Sequence, residues 1–196
     1  CAPHGPHGQR RVPLANAWFF TGEERFAAHA AEIIRVWFIK PETRMNPNLH
    51  HAQAVPGRND GRSTGVIGSS SLVNLVDAVG MLAGSEAWRD EDEKALREWF
   101  SAYLEWLTTS PRATQNIKAG NNIGSFYDVQ IAAFALYAGK DEIARELLES
   151  SAERRIAKQV EPDGAQPQEL RRTNSFSYST ANLLALFNLA TLGERV

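Results

Sequence analysis

The chain has 196 residues, 43% of them apolar and 22% charged, with a formal net charge of −2. That length holds one domain with a sizeable core; the near-neutral charge is not that of a general nucleic-acid binder, and no apolar run is long enough to span a bilayer. The single cysteine, Cys1, excludes an internal disulfide.

The opening "CAPHGPHGQRR" has no initiator methionine and no apolar signal region. Residues 1–12 are expected to be a disordered lead-in and 13–196 the domain. A helix is predicted over 23–39, where Phe26, Ala30, Ile33, Ile34, Trp37 and Phe38 form one wide stripe. "KPETRMNPN" (40–48) ends it with two prolines. After the loop "HHAQAVPGRNDGRSTG" (50–65), residues 66–83 repeat Leu72, Leu75, Val76, Val79 and Leu82 at helical spacing. The segment 90–109 begins with Asp90, Glu91, Asp92 and Glu93, acids suited to the positive end of a helix dipole. Its apolar stripe runs from Leu96 through Trp99, Phe100, Tyr103 and Trp106 to Leu107. Helices over 123–138, 140–158 and 176–192 complete the series. No stretch alternates with period two, so the fold class is all-α.

These helices alternate in character. Those at 23–39, 90–109 and 140–158 are amphipathic, whereas 66–83, 123–138 and 176–192 are apolar almost all round and are expected to be buried. Outer and inner helices in alternation make stacked hairpins in two layers, a solenoid or, if closed, an α/α toroid. All inner helices then run the same way, and their N-termini gather on one rim. The loops before them, "GRNDGRSTG" (57–65), "KAGNN" (118–122) and "QELRRTNS" (168–175), carry Arg58, Arg62, Arg171 and Arg172. Unpaired N–H groups at helix starts attract anions.

Three stretches on that rim carry a resemblance. "NNIGSFYDVQ" (121–130) resembles the Asn-Asn-His motif of the alginate lyase superfamily, polysaccharide lyases with a two-layer α/α-toroid fold. "VEPDGAQPQELRRTNSFSYSTANLLAL" (160–186) resembles that superfamily's segment with an arginine and a catalytic tyrosine. "TRMNPNLHHAQAVPGRNDGRSTGVIG" (43–68) is similar to its Asn-Pro-Asn and Gly-Arg loop region. The matches fall in family order. Members are usually longer, so the resemblance implies an incomplete barrel lacking N-terminal helices.

The resemblance implies a lyase that cleaves an anionic, uronate-containing polysaccharide by β-elimination, without cofactor or metal, in a secreted or periplasmic setting. Asn122, Arg172 and Tyr178 match its catalytic residues. Asn122 would donate to the substrate carboxylate. A phenol is a weak base at neutral pH unless a cation stabilises the phenolate, and Arg172 is the neighbour for that task or for holding the carboxylate. Asn121, Arg58, Arg62, His51 and Tyr127 are implied as substrate contacts. Ile123 stands where the motif has histidine and offers no proton transfer, so weakened activity is expected. Other readings are a non-catalytic carbohydrate binder and a helical scaffold that binds protein. No Gly-x-Ser-x-Gly elbow occurs, and "GRNDGRSTG" lacks a P-loop lysine.

Overall fold

The computed structural model describes residues 11–196. Of the segment expected to lack structure, residues 1–10 lie outside the described residues, and Arg11 and Val12 already belong to helix α1 (Arg11–Thr21). The sequence reading has no helix there. Pro13 sits in its first turn, where a missing N–H breaks no intrahelical bond. Helix α2 (Glu24–Ile34) runs into a π-helical segment, Arg35–Ile39, and together they fill the predicted 23–39. The predicted 66–83 divides into a 3₁₀ turn, Ser63–Ser69, and helix α3 (Leu72–Met81).

Helices α4 (Asp90–Thr109) and α6 (Asn122–Tyr137) lie within a residue of their predicted spans. Short α5 (Pro111–Thr114) and a 3₁₀ turn, Gln115–Lys118, connect them. The predicted 140–158 divides into α7 (Asp141–Glu149), a second π segment, Ala152–Ile156, and α8 (Ala157–Gln159). Helix α9 (Pro167–Leu170) precedes α10 (Ser175–Gly193). No strand occurs among the described residues.

Helix α6 is the hub: α3, α4, α7 and α10 all pack against it, and α1 joins through α2 and α3. Its alanines, Ala132, Ala133 and Ala135, are buried and allow close approach. Phe134 fills the gap to α4, 4.9 Å from the Phe100 ring and 5.7 Å from that of Tyr103. Outer helices bury one stripe. Helix α7 encloses Ala144 and Leu148 while its Arg145–Glu142 pair stays in solvent.

One expectation about the inner layer is overturned. Helix α10 is not buried all round: Asn182, Ala185, Leu186 and Leu189 are enclosed, but Phe176 is 82% exposed and Phe187 64%. Its chief neighbours, α6, α7 and α9, cover a single side.

The common direction of the inner helices holds. Asn122 at the start of α6 is bonded to Glu169, just ahead of α10. At the other end, Leu136 and Tyr137 of α6 and Asn188 and Arg195 of α10 face a cavity of about 420 Å³. The third inner segment begins at Ser63, whose carbonyl is held by Asn116 just ahead of α6, and its continuation α3 lines the same cavity from Val73 to Gly80. The starts of the three inner segments therefore lie on one rim, and the ends of α6 and α10 on the other.

Candidate active site

Three loops build the rim, and each is fixed from behind. In the 50–65 loop, Gly61 has φ +142°, and a Cβ there would lie 2.2 Å from the His50 carbonyl oxygen. Arg112 of α5 holds Asp60 at 3.2 Å, and that hydrogen bond holds the Asp60 carboxyl below its usual range. Buried Asn116 donates to the Ser63 carbonyl at 3.0 Å, joining this loop to the next. His51 donates from Nδ1 to the Asp60 carbonyl at 2.9 Å. His50 Nε2 accepts from the Trp106 indole N–H at 3.2 Å. Arg58 and Arg62 are exposed, with no ion pair among the described residues.

The central loop turns into α6 at Asn121, whose Oδ1 accepts from the Ile123 N–H at 3.2 Å as an N-cap. Behind it lies a buried ion cluster. Arg155, 2% exposed, donates to both oxygens of Asp128 at 2.6 and 2.9 Å and to the Ala119 carbonyl at 2.6 Å. Arg154 reaches the same carboxylate at 2.7 Å. This cluster pins the loop carbonyl to the body of α6. Gly124 makes room for it, because a Cβ there would lie 2.1 Å from the Ala119 oxygen and 2.4 Å from Arg155 Nη1.

The third loop carries Glu169, which is 1% exposed. Its carboxylate accepts from the Asn122 backbone N–H at 2.5 Å and from Asn122 Nδ2 at 2.8 and 3.0 Å. The Arg172 backbone N–H donates to the Glu169 carbonyl at 3.0 Å. The Arg172 guanidinium lies over the Tyr178 ring, 4.0 Å from its centroid, a cation–π arrangement that orients both groups.

The chain has four tyrosines, and three belong to the core. Burial pushes the hydroxyls of Tyr103 and Tyr137 above their ordinary value and that of Tyr127 up to about 12. Tyr178, half-buried at the start of α10, is the one on the rim. Tyr127, expected as a substrate contact, is corrected: it is 1% exposed and donates to the Leu107 carbonyl at 2.7 Å. Five residues beyond Asn122, it is turned about 140° around the helix axis, towards α4.

Asn121, Asn122, Arg172 and Tyr178 thus form one connected group. His51, Arg58 and Arg62 stand on the adjoining loop, joined to the next through Ser63 and Asn116, with no hydrogen bond or ion pair to the four among the described residues. The sequence alone assigns no role to Glu169, Asp128 or Arg155. A lone Asp inside "NIGSFYDVQIAAFALY" is the signal for the ion cluster, since a charge in a buried helix requires a partner. No group of three or more acidic, His or Cys side chains suited to a metal occurs among the described residues. No helix among them is long and apolar enough to cross a membrane.

The model of the family described as alginate lyase matches residues 8–196. The chain belongs to the alginate lyase family. An alginate lyase from Bacteroides ovatus, known from a crystal structure, is similar to it with a TM-score of 0.89 and 36% identity, over 94% of this chain and 50% of that one. This chain therefore spans about half the length of that protein. No curated protein matches. Membership and the structural likeness give the two-layer helical array its name, an α/α toroid.

Proposed function

We propose that the protein is a polysaccharide lyase acting on a uronate-containing chain by β-elimination. The observation that carries this reading is the Arg172 guanidinium stacked 4.0 Å over Tyr178, on the rim where α6 and α10 begin, in a member of the alginate lyase family. β-Elimination has three electrostatic demands. The uronate carboxylate must be neutralised so that negative charge can build at C5. A base must take the C5 proton. An acid must protonate O4 as the C4–O4 bond breaks and the C4–C5 double bond forms.

Arg172 and the amides at the start of α6 supply donors for the carboxylate. Tyr178 supplies the phenolic oxygen for proton transfer, with positive charge beside it. Ile123, half-buried in the first turn of α6, brings no proton. The reading therefore gives Tyr178 both transfers on one face of the sugar, a syn elimination that restores the enzyme in each cycle. Arg58, Arg62 and His51 on the neighbouring loop extend the basic rim for further sugar units. Such a substrate is an extracellular polymer, which fits a secreted or periplasmic protein.

The test is the ultraviolet absorbance of the unsaturated uronate formed from alginate and related polyuronates. Tyr178→Phe removes one oxygen and is expected to lower turnover about 10²–10⁴-fold while binding is retained. Arg172→Ala is expected to weaken binding as well. Polyuronate binding without turnover in the parent protein would make this chain a carbohydrate-binding member, with Ile123 as the physical reason.

A further inference from the structure

We propose that Gln166 is a positioning residue for Tyr178: its side-chain amide, held by Asn182 and holding the Ser179 carbonyl, closes the segment that carries Arg172 and Tyr178 and keeps the phenol beneath the guanidinium. This rests on the polyuronate reading above and adds to it a residue enclosed behind the rim.

Gln166 stands just before α9, and its side chain does not cap that helix. It reaches forward along the chain instead. Nε2 donates to the Ser179 carbonyl at 3.2 Å, and Oε1 accepts from Asn182 Nδ2 at 2.8 Å. One amide thus joins the start of α9 to the second turn of α10, with both of its ends engaged. Gln166 is 8% exposed and Asn182 is fully enclosed, which shelters these bonds from competition by water. Gln166 is itself fixed from behind. Across the turn "EPDGA" (161–165), the Glu161 N–H donates to the Ala165 carbonyl at 2.8 Å, and Asp163 Oδ1 accepts from the Ala165 N–H at 2.9 Å.

The two bonds bracket residues 167–178, which include both Arg172 and Tyr178. A segment tied at both ends has fewer conformations open to it. Asn182 lies four residues beyond Tyr178, on the same face of α10 and one turn further along, and Ser179 is the chain neighbour of Tyr178. The tie therefore acts on the turn that presents the phenol. Within the closed segment, the Glu169 carbonyl holds the Arg172 N–H at 3.0 Å, and the guanidinium lies 4.0 Å over the Tyr178 ring. Stability alone does not account for this arrangement. Asn182 Oδ1 and Ser179 Oγ are buried without a hydrogen-bond partner among the described residues, and a buried polar atom left unpaired costs free energy. An apolar residue at 182 would continue the pattern of "ANLLALFNLA" (181–190) without that cost. What it would lose is the bond to Gln166.

The experiment compares the parent protein with Gln166→Met, which fills the space but makes neither bond, and with Asn182→Ala, which releases one end of the amide and leaves α9 untouched. Turnover of alginate is followed by the absorbance of the unsaturated uronate. The position of the phenol is followed by the ring signals of ¹³C-tyrosine-labelled protein, assigned through Tyr178→Phe. Gln166→Met is expected to lower kcat about tenfold or more with KM within about twofold of the parent. Its Tyr178 ring signals are expected to move towards those of Arg172→Ala, while the signals of Tyr103, Tyr127 and Tyr137 stay in place. Asn182→Ala is expected to change kcat and the ring signals in the same direction, and decides the matter if Gln166→Met does not fold. A merely structural role would lower the melting temperature and leave kcat and the Tyr178 signals of the folded protein unchanged, and that result overturns the assignment. A loss of kcat with the Tyr178 signals unmoved overturns it too; the polyuronate reading survives both. A parent protein that cleaves no polyuronate removes the lyase reading, and the ring signals then decide alone whether Gln166 holds the stack.

Discussion

Helices α6 and α10 have the same kind of sequence and opposite surroundings. "VQIAAFAL" in the first and "NLLALFNLATL" in the second are both apolar on every side. Helix α6 has neighbours all round it. Helix α10 has them on one side, and Phe176, Leu183, Leu184 and Phe187, spaced 7, 8 and 11 residues from the first, form an uncovered stripe on the other. Apolar character all round states a demand for cover; whether the cover is met is a property of the whole assembly.

The largest expected contrast lies in side-chain removal. Phe134→Ala in α6 should cost about 3–5 kcal/mol through the cavity left against Phe100 and Tyr103. Asp128→Ala should cost a similar ~3–5 kcal/mol by stranding the charge of buried Arg155. Phe187→Ala in α10 should stay within about 0.5 kcal/mol. Urea denaturation measures all three, and equal costs in the two helices would erase the distinction between them.

A second contrast is alkaline. Burial raises the hydroxyls of Tyr127 and Tyr137 in α6 above the ordinary phenol value near 10. The unfolded chain ionises first, so their contribution to stability is complete below pH ~10. It is lost as pH rises through the folded value, about 12 for Tyr127. Tyr127→Phe should flatten the fall in stability across that window. Melting temperature against pH is the measurement, and a profile identical to that of the parent protein would contradict it. The smallest expected effect is on association: Phe187→Ser should leave monomer stability within about 0.5 kcal/mol yet reduce self-association in sedimentation experiments, because it interrupts the exposed stripe. Unaltered sedimentation would show that the stripe does not mediate contact between copies.

The sequence made the rim legible because its signals are local. An asparagine pair before an apolar helix, arginines in a loop, and a tyrosine six residues after Arg172 are visible without coordinates, and the structure brings Asn121, Asn122, Arg172 and Tyr178 together. Helix α1 escaped because the expected lead-in ran to residue 12, into its first turn, and Gly22 leaves only a short run, "PLANAWFF", before the helix predicted from residue 23. Glu169 escaped because one acid among arginines reads as a solvated loop residue; only its enclosure beside Asn122 reveals a bond across 47 residues of chain. Tyr127 was misassigned because nearness to the motif in sequence took the place of angle around the helix. The bare side of α10 was out of reach, since a hydrophobic pattern carries no information on which neighbours are present.

The two π-helical segments, Arg35–Ile39 and Ala152–Ile156, make chain length itself part of the design. Each carries an arginine that crosses to a carboxylate on the neighbouring helix: Arg35 reaches Asp92 at 2.8 and 2.5 Å, and Arg155 reaches Asp128 at 2.6 and 2.9 Å. A π turn holds one residue more than an α turn. Deleting a residue there would restore regular winding and rotate the C-terminal side of the helix by about 100° relative to its N-terminal side, swinging the guanidinium away from its carboxylate. Loops such as 50–65 absorb insertions and deletions at their tips, but these helical segments count residues. Among related chains, gaps in an alignment should therefore fall in the loops and avoid the widened turns, even though a widened turn looks, by its winding, like the weakest part of its helix.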